Sequence, residues 1–141
     1  MAKILGIQFR INQNIREQEQ ICLSRGIGDV DIDFINVFDD SIDWSLPRQI
    51  LLGYQGVILG GSGDLDFDGS RPADDEVRLA SQKILKQLSP FLQYLLDNDI
   101  PTLGICFGHQ MLGAFAGACV HCDKKQSKTK SHKIKFVIDK S

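Results

Sequence analysis

Gly104-Ile105-Cys106-Phe107-Gly108 is the segment best equipped for chemistry. Cysteine is an intrinsically strong nucleophile once it is a thiolate. Glycines stand two residues before it and two residues after it. An apolar, strand-like run (Pro101–Ile105) precedes it and a helical pattern (His109–Ala116) follows. This is the spacing of a strand–turn–helix elbow, in which small flanking residues let strand and helix pack closely and present the nucleophile on a strained turn. Cys106 would then sit at a helix N-terminus, where orphan N–H groups and the helix dipole favour negative charge on sulfur.

Attack by sulfur on a carbonyl needs donors for the developing oxyanion. The amide of Phe107, next after the nucleophile, is one candidate. A second glycine-rich turn, Gly60-Gly61-Ser62-Gly63, follows the apolar run Gly56–Leu59. If both runs are parallel strands, both turns reach the same sheet edge, and the amide of Gly61 is the candidate for the second donor. A tight turn without chemistry is the plainer alternative for the glycines alone.

Short apolar runs alternate with helical patterns, which predicts an α/β domain with a mostly parallel sheet. Expected strands are Lys3–Phe9, Val30–Phe38, Gly56–Leu59 and Pro101–Ile105, with two more at Val120 and Ile134–Ile138. Acidic residues at 29, 31 and 33 alternate with Val30, Ile32 and Phe34, which suggests an edge or partly exposed strand. Helices are expected over Asn12–Ser24, with Ile11, Ile15 and Cys22 near one face, and from Asp74 to Leu88. Ser89-Pro90 reads as an N-cap with proline at the first helical position, opening another helix to Asp97 whose apolar face is Phe91, Leu92, Leu95 and Leu96.

Together, Pro101 to Gln110 resembles the nucleophile block of the class I glutamine amidotransferases, and Ile58-Leu59-Gly60-Gly61-Ser62 resembles their oxyanion block, where the family often has proline at the position of Ser62. Within the family the likeness is greatest to the amidotransferase domains of GMP synthases and their free-standing relatives. The resemblance implies a flavodoxin-like three-layer domain over residues 1–141. It implies Cys106 as the catalytic nucleophile, Gly61 and Phe107 as the oxyanion hole, and Gly60 and Gln110 as substrate-binding positions. It also implies glutamine as substrate, a thioester intermediate, no cofactor and no metal, and a synthetase domain or subunit that receives the ammonia.

The family's base and acid form a His-x-Glu motif well after the elbow. Glu17, Glu19 and Glu76 all precede Cys106, and the histidines are His109, His121 and His132. His109 reads as packing or substrate-side, His121 as a strand-end residue despite Asp123 two positions on, and His132 as exposed. The expectation is an incomplete domain, lacking its C-terminal part, with little or no glutaminase activity. Two rivals are a γ-glutamyl peptidase or hydrolase with the same thiol chemistry, and a non-catalytic domain that binds glutamine or a partner.

Other patterns carry less. Asp64, Asp66, Asp68 and Asp75 approach a calcium-loop spacing, but Pro72 intrudes and no glutamate closes the loop, so a solvated acidic loop is expected. Cys119-Val120-His121-Cys122 lacks a credible set of four zinc ligands. Gly26-Ile27-Gly28 lacks the third glycine of a dinucleotide turn. Net charge is −2, which gives no reason to expect nucleic acid, and the lysines from Lys124 to Lys140 read as a solvated face. No apolar run approaches membrane-spanning length and no signal peptide is evident. Four unevenly spaced cysteines suggest a reducing cytoplasm rather than a disulfide framework.

Overall fold

Four strands form a parallel sheet in the order β2-β1-β3-β4: β1 (Lys3–Gln8), β2 (Asp31–Asn36), β3 (Gly56–Leu59) and β4 (Thr102–Gly104). The structure is a computed structural model that describes residues 2–122 and 134–138, with side chains described over 2–120. Helices α1 (Gln13–Ile27), α2 (Pro47–Ile50), α3 (Glu76–Asp97) and α4 (Phe107–Phe115) connect and flank the strands. β5 (Ala118–Cys122) and β6 (Ile134–Ile138) form a separate antiparallel pair. This is the α/β arrangement with a mostly parallel sheet that the alternation of strand and helix patterns predicts.

Burial follows strand position. β3 is central and all four of its residues are buried, whereas β2, on the edge, is exposed or half-buried throughout. The alternating acidic residues of β2 are therefore tolerated on an open edge. The core joins Leu5, Ile7 and Phe9 from β1 and its end, Val57 and Leu59 from β3, and Ile84, Leu88, Phe91, Leu92 and Leu95 from α3. Phe107 and Met111 of α4 complete it beside the elbow. Trp44 meets Phe91 edge to face, with centroids 5.3 Å apart.

Three expectations need correction. First, residues 76–97 form one helix, and Pro90 lies inside it instead of opening a second. Proline in a helix interior costs about 3 kcal/mol or more. Leu88, Phe91, Leu92 and Leu95 flank the proline and are all buried. At roughly 1.5–3 kcal/mol for each fully buried apolar side chain, their burial outweighs that cost. Pro90 itself is exposed, and the Ser89 hydroxyl donates to the Leu85 carbonyl at 2.7 Å within the helix rather than capping a new one.

Second, Leu96 stands outside the apolar face, 66% exposed. It follows Leu95 by about 100° around the helix and so turns away from the core. Third, α1 has no buried face: none of its residues is buried, Ile15 is 44% exposed and Ile11, before the helix, 63%. Its attachment is polar instead. The Gln8 side-chain amide donates to the Arg16 carbonyl and to Glu19, and Gln20 donates to Gln8. Asn12 caps its N-terminus by accepting from the Ile15 amide.

Candidate active site

The site is built where β3 and β4 end. The Ile105 amide donates to Leu59 at 2.8 Å, extending the β3–β4 ladder one residue past β4. At Cys106 the backbone turns to φ 50°, ψ −106°, and α4 begins at the next residue. A positive φ in a non-glycine residue is uncommon, and such strain of order 1–3 kcal/mol persists only where the surroundings enforce it.

The enforcing contacts run through the two glycines. A Cβ on Gly104 would lie 2.7 Å from the His109 nitrogen and 2.8 Å from the Gly108 carbonyl. One on Gly108 would meet the Leu59 carbonyl oxygen and lie 2.6 Å from its carbon. Strand, turn and helix thus touch backbone to backbone, as the elbow spacing requires. The Gly108 amide also donates to the Gly60 carbonyl at 3.0 Å, which ties α4 to the turn after β3.

Cys106 is exposed and free, at the N-cap of α4. Phe107 contributes the first amide of that helix, one of the donors that lack an intrahelical acceptor. Its ring is buried, stacked on Phe67 with centroids 5.0 Å apart and edge-on to Phe9 at 5.1 Å. Gly61 is the neighbour of Cys106 across the turn: a Cβ added there would lie 3.5 Å from the Cβ of Cys106. The Gly60 amide is spent on the Ile7 carbonyl at 2.9 Å, so Gly60 has no N–H to offer a ligand. The Gln110 side-chain oxygen accepts from the Phe67 amide at 2.9 Å, which fixes the loop between β3 and α3 against α4.

Three residues that the sequence reading missed stand in this cluster: Gln8, Arg10 and Glu19. The Gly61 amide donates to the Glu19 carboxylate at 3.2 Å. Arg10 donates to the same carboxylate at 2.9 Å, and Gln8 donates to its other oxygen at 3.2 Å. A Cβ on Gly61 would lie 2.9 Å from a terminal nitrogen of Arg10. One signal was available in the sequence: Gln8 and Arg10 sit at the carboxyl end of the first parallel strand, the edge where such sheets bind ligands. Glu19 had none, because its role depends on how α1 docks.

Part of the charge of the acidic loop is offset from within. Arg71 pairs with Asp66 at 2.6 Å and with Asp75 at 3.5 Å, and Asp75 caps α3 through the Arg78 amide. The Asp66 carboxylate, hydrogen-bonded to Arg71, holds that guanidinium more firmly protonated than usual. Among the described residues no group of three His, Cys, Asp or Glu could hold a metal ion. His109 is exposed on α4. Asp123, His132, most of the C-terminal lysines and the side chains of His121 and Cys122 lie outside the described residues. Among the described residues no helix is long and apolar enough to cross a membrane.

A crystal structure of a glutamine amidotransferase from Thermotoga maritima is similar to the chain at 23% identity and a TM-score of 0.48, over 87% of this chain and 46% of that one. The chain thus spans about half the length of that protein. No curated protein matches it. The family model for glutamine amidotransferase class-I matches residues 35–140, a span that takes in β3, its glycine turn, the elbow and α4. On that match over most of its length, the chain belongs to the class-I glutamine amidotransferase family.

Proposed function

We propose that Cys106 captures glutamine as a thioester. The thiolate attacks the side-chain amide carbon, and the carbonyl oxygen becomes an oxyanion facing the amides of Phe107 and Gly61. The C–N bond then breaks, nitrogen takes a proton and ammonia leaves. Water attacking the thioester carbon releases glutamate and regenerates the thiol. Gln110 contributes by holding the Phe67 loop against α4 beside the nucleophile. The observation that carries the reading is the exposed Cys106 thiol held at φ 50° on the elbow beside Gly61.

Turnover also needs a base to take the thiol proton and an acid to protonate the leaving nitrogen. No His-x-Glu follows Cys106 in these 141 residues. Membership of the class-I glutamine amidotransferase family supports a synthetase domain or subunit as the ammonia acceptor. Free cysteines at 22, 106 and 119 support a reducing compartment such as the cytoplasm.

Mass spectrometry after treatment with a glutamine-analogue chloroketone tests the reading. The expected result is one adduct, on Cys106, slowed by glutamine and absent in Cys106→Ser. Labelling that glutamine does not slow, or that spreads equally over Cys22 and Cys119, would overturn it.

A further inference from the structure

The donors beside Cys106 converge on a carboxylate that belongs to the chain itself. Glu19 receives hydrogen bonds from the Gln8 side chain (3.2 Å), the Arg10 guanidinium (2.9 Å) and the Gly61 amide (3.2 Å). Its side chain is 10% exposed and that of Arg10 25%. Gln8 is buried at the end of β1 and held in place by Gln20 and by the Arg16 carbonyl. Three donors from two segments, the end of β1 and the turn after β3, one of them charged, make a preorganised site for a carboxylate. We propose that Gln8, Arg10 and Gly61 form a carboxylate-binding site for glutamate, and that Glu19 is an intrachain occupant which must leave before the site takes a ligand.

Two features of the chain suit Glu19 to this role. Its carrier, α1, buries none of its residues, so moving α1 forfeits little apolar contact. Its carboxylate matches the chemistry of the product: the γ-carboxylate of glutamate would place one oxygen where the Glu19 oxygen meets Gly61, beside Cys106. The same amide is the second oxyanion donor of the proposed reaction, and this inference rests on that reading. With Glu19 seated, Gly61 already has an acceptor, and glutamine must displace it. A carboxylate presents a second negatively charged acceptor to Arg10, whereas the glutamine amide is neutral. Glutamate should therefore compete with Glu19 more effectively than glutamine does.

Glu19→Ala and Glu19→Gln in the full chain test this, with Arg10→Met/Glu19→Ala as the control for the site itself. Circular dichroism melts establish folding, and Glu19→Gln carries the test if the alanine variant unfolds. Loss of a charge-assisted hydrogen bond should speed exchange of the Gly61 amide by about tenfold or more, and saturating glutamate should slow it again. Glutamate, titrated by NMR, should bind Glu19→Ala about tenfold or more tighter than the parent chain, and the double variant should lose the gain. Unchanged exchange at Gly61, or equal glutamate affinity in parent and variant, overturns the proposal.

Chloroketone labelling of Cys106, divided by iodoacetamide labelling, separates the two claims. A higher ratio in Glu19→Ala supports both. An equal ratio in parent and variant, with glutamine still protecting Cys106, overturns the occupant while the capture reading stands. Glutamate binding at Gly61 without glutamine-protected labelling supports the site and overturns the capture reading.

Discussion

The Gly61 amide and the Glu19 carboxylate are hydrogen-bonded at 3.2 Å although 42 positions separate them in sequence. The contact joins the turn after β3 to α1, and its Gly61 lies beside Cys106. Its effect is to make Glu19 part of the environment of Cys106, together with Arg10 and Gln8. Local stability around Cys106 consequently depends on residues far from it in sequence.

Cys106 pays for its placement in backbone strain. At φ 50° a glycine would sit with less penalty. Cys106→Gly is expected to raise unfolding stability by about 1 kcal/mol while abolishing chloroketone labelling. Urea melts of the two chains check this; a destabilised glycine variant would show that the turn is unstrained.

Gly108 faces backbone, which cannot swing aside as a side chain can. Gly108→Ala is expected to lower stability by about 3 kcal/mol, at the upper end for overpacking, because its Cβ would press on the Leu59 carbonyl. Gly63→Ala is the control, since a Cβ there would meet nothing within 4 Å. The difference between the two in denaturant midpoint is the measurement.

Pro90 interrupts α3 without ending it. Replacing it with alanine restores an N–H that can donate to the Lys86 carbonyl and removes the ring clash. Pro90→Ala is expected to stabilise the chain by about 2 kcal/mol, somewhat less than the full helix-interior cost because α3 has already adapted. Thermal melts read the effect, and no gain would mean that α3 accommodates the proline ring without cost.

Tyr54 donates to Asp33 at 2.7 Å. Burial, and then the Asp33 carboxylate, push its pKa up to about 12 from 10.0. A group with a raised folded pKa contributes stability in full below its unfolded pKa, and that contribution is lost as pH rises through the folded value. Melting temperature should therefore fall between pH 10 and pH 12 in the parent chain, beyond any general alkaline loss, and less steeply in Tyr54→Phe. Asp33 is shifted the other way, held low by the Tyr54 hydrogen bond and then by Lys3, so its contribution is lost on the acid side. Parallel alkaline slopes in the two chains would refute the assignment.

Much of the fold was legible in local sequence. Gly56–Leu59 is the central strand to the residue, and the alternating acids of β2 announced a partly exposed edge. Legibility failed at Ser89-Pro90. Its local capping chemistry pointed to a helix start, yet the continuous burial of Leu88, Phe91, Leu92 and Leu95 holds one helix through the proline. It failed again at α1, where Ile11, Ile15 and Cys22 suggested an apolar face and the helix docks through Gln8, Arg16 and Glu19.

The sequence by itself determined the elbow. Glycines two before and two after Cys106 are demanded by backbone contacts between adjacent segments, and a steric requirement of that range is written in five consecutive residues. Tertiary structure alone decided that the Gly61 amide meets Glu19, and that Gly60 uses its N–H within the sheet. Those outcomes depend on strand register and on where α1 docks. They are settled by competition among donors and acceptors brought together from distant parts of the chain, which no local spacing encodes.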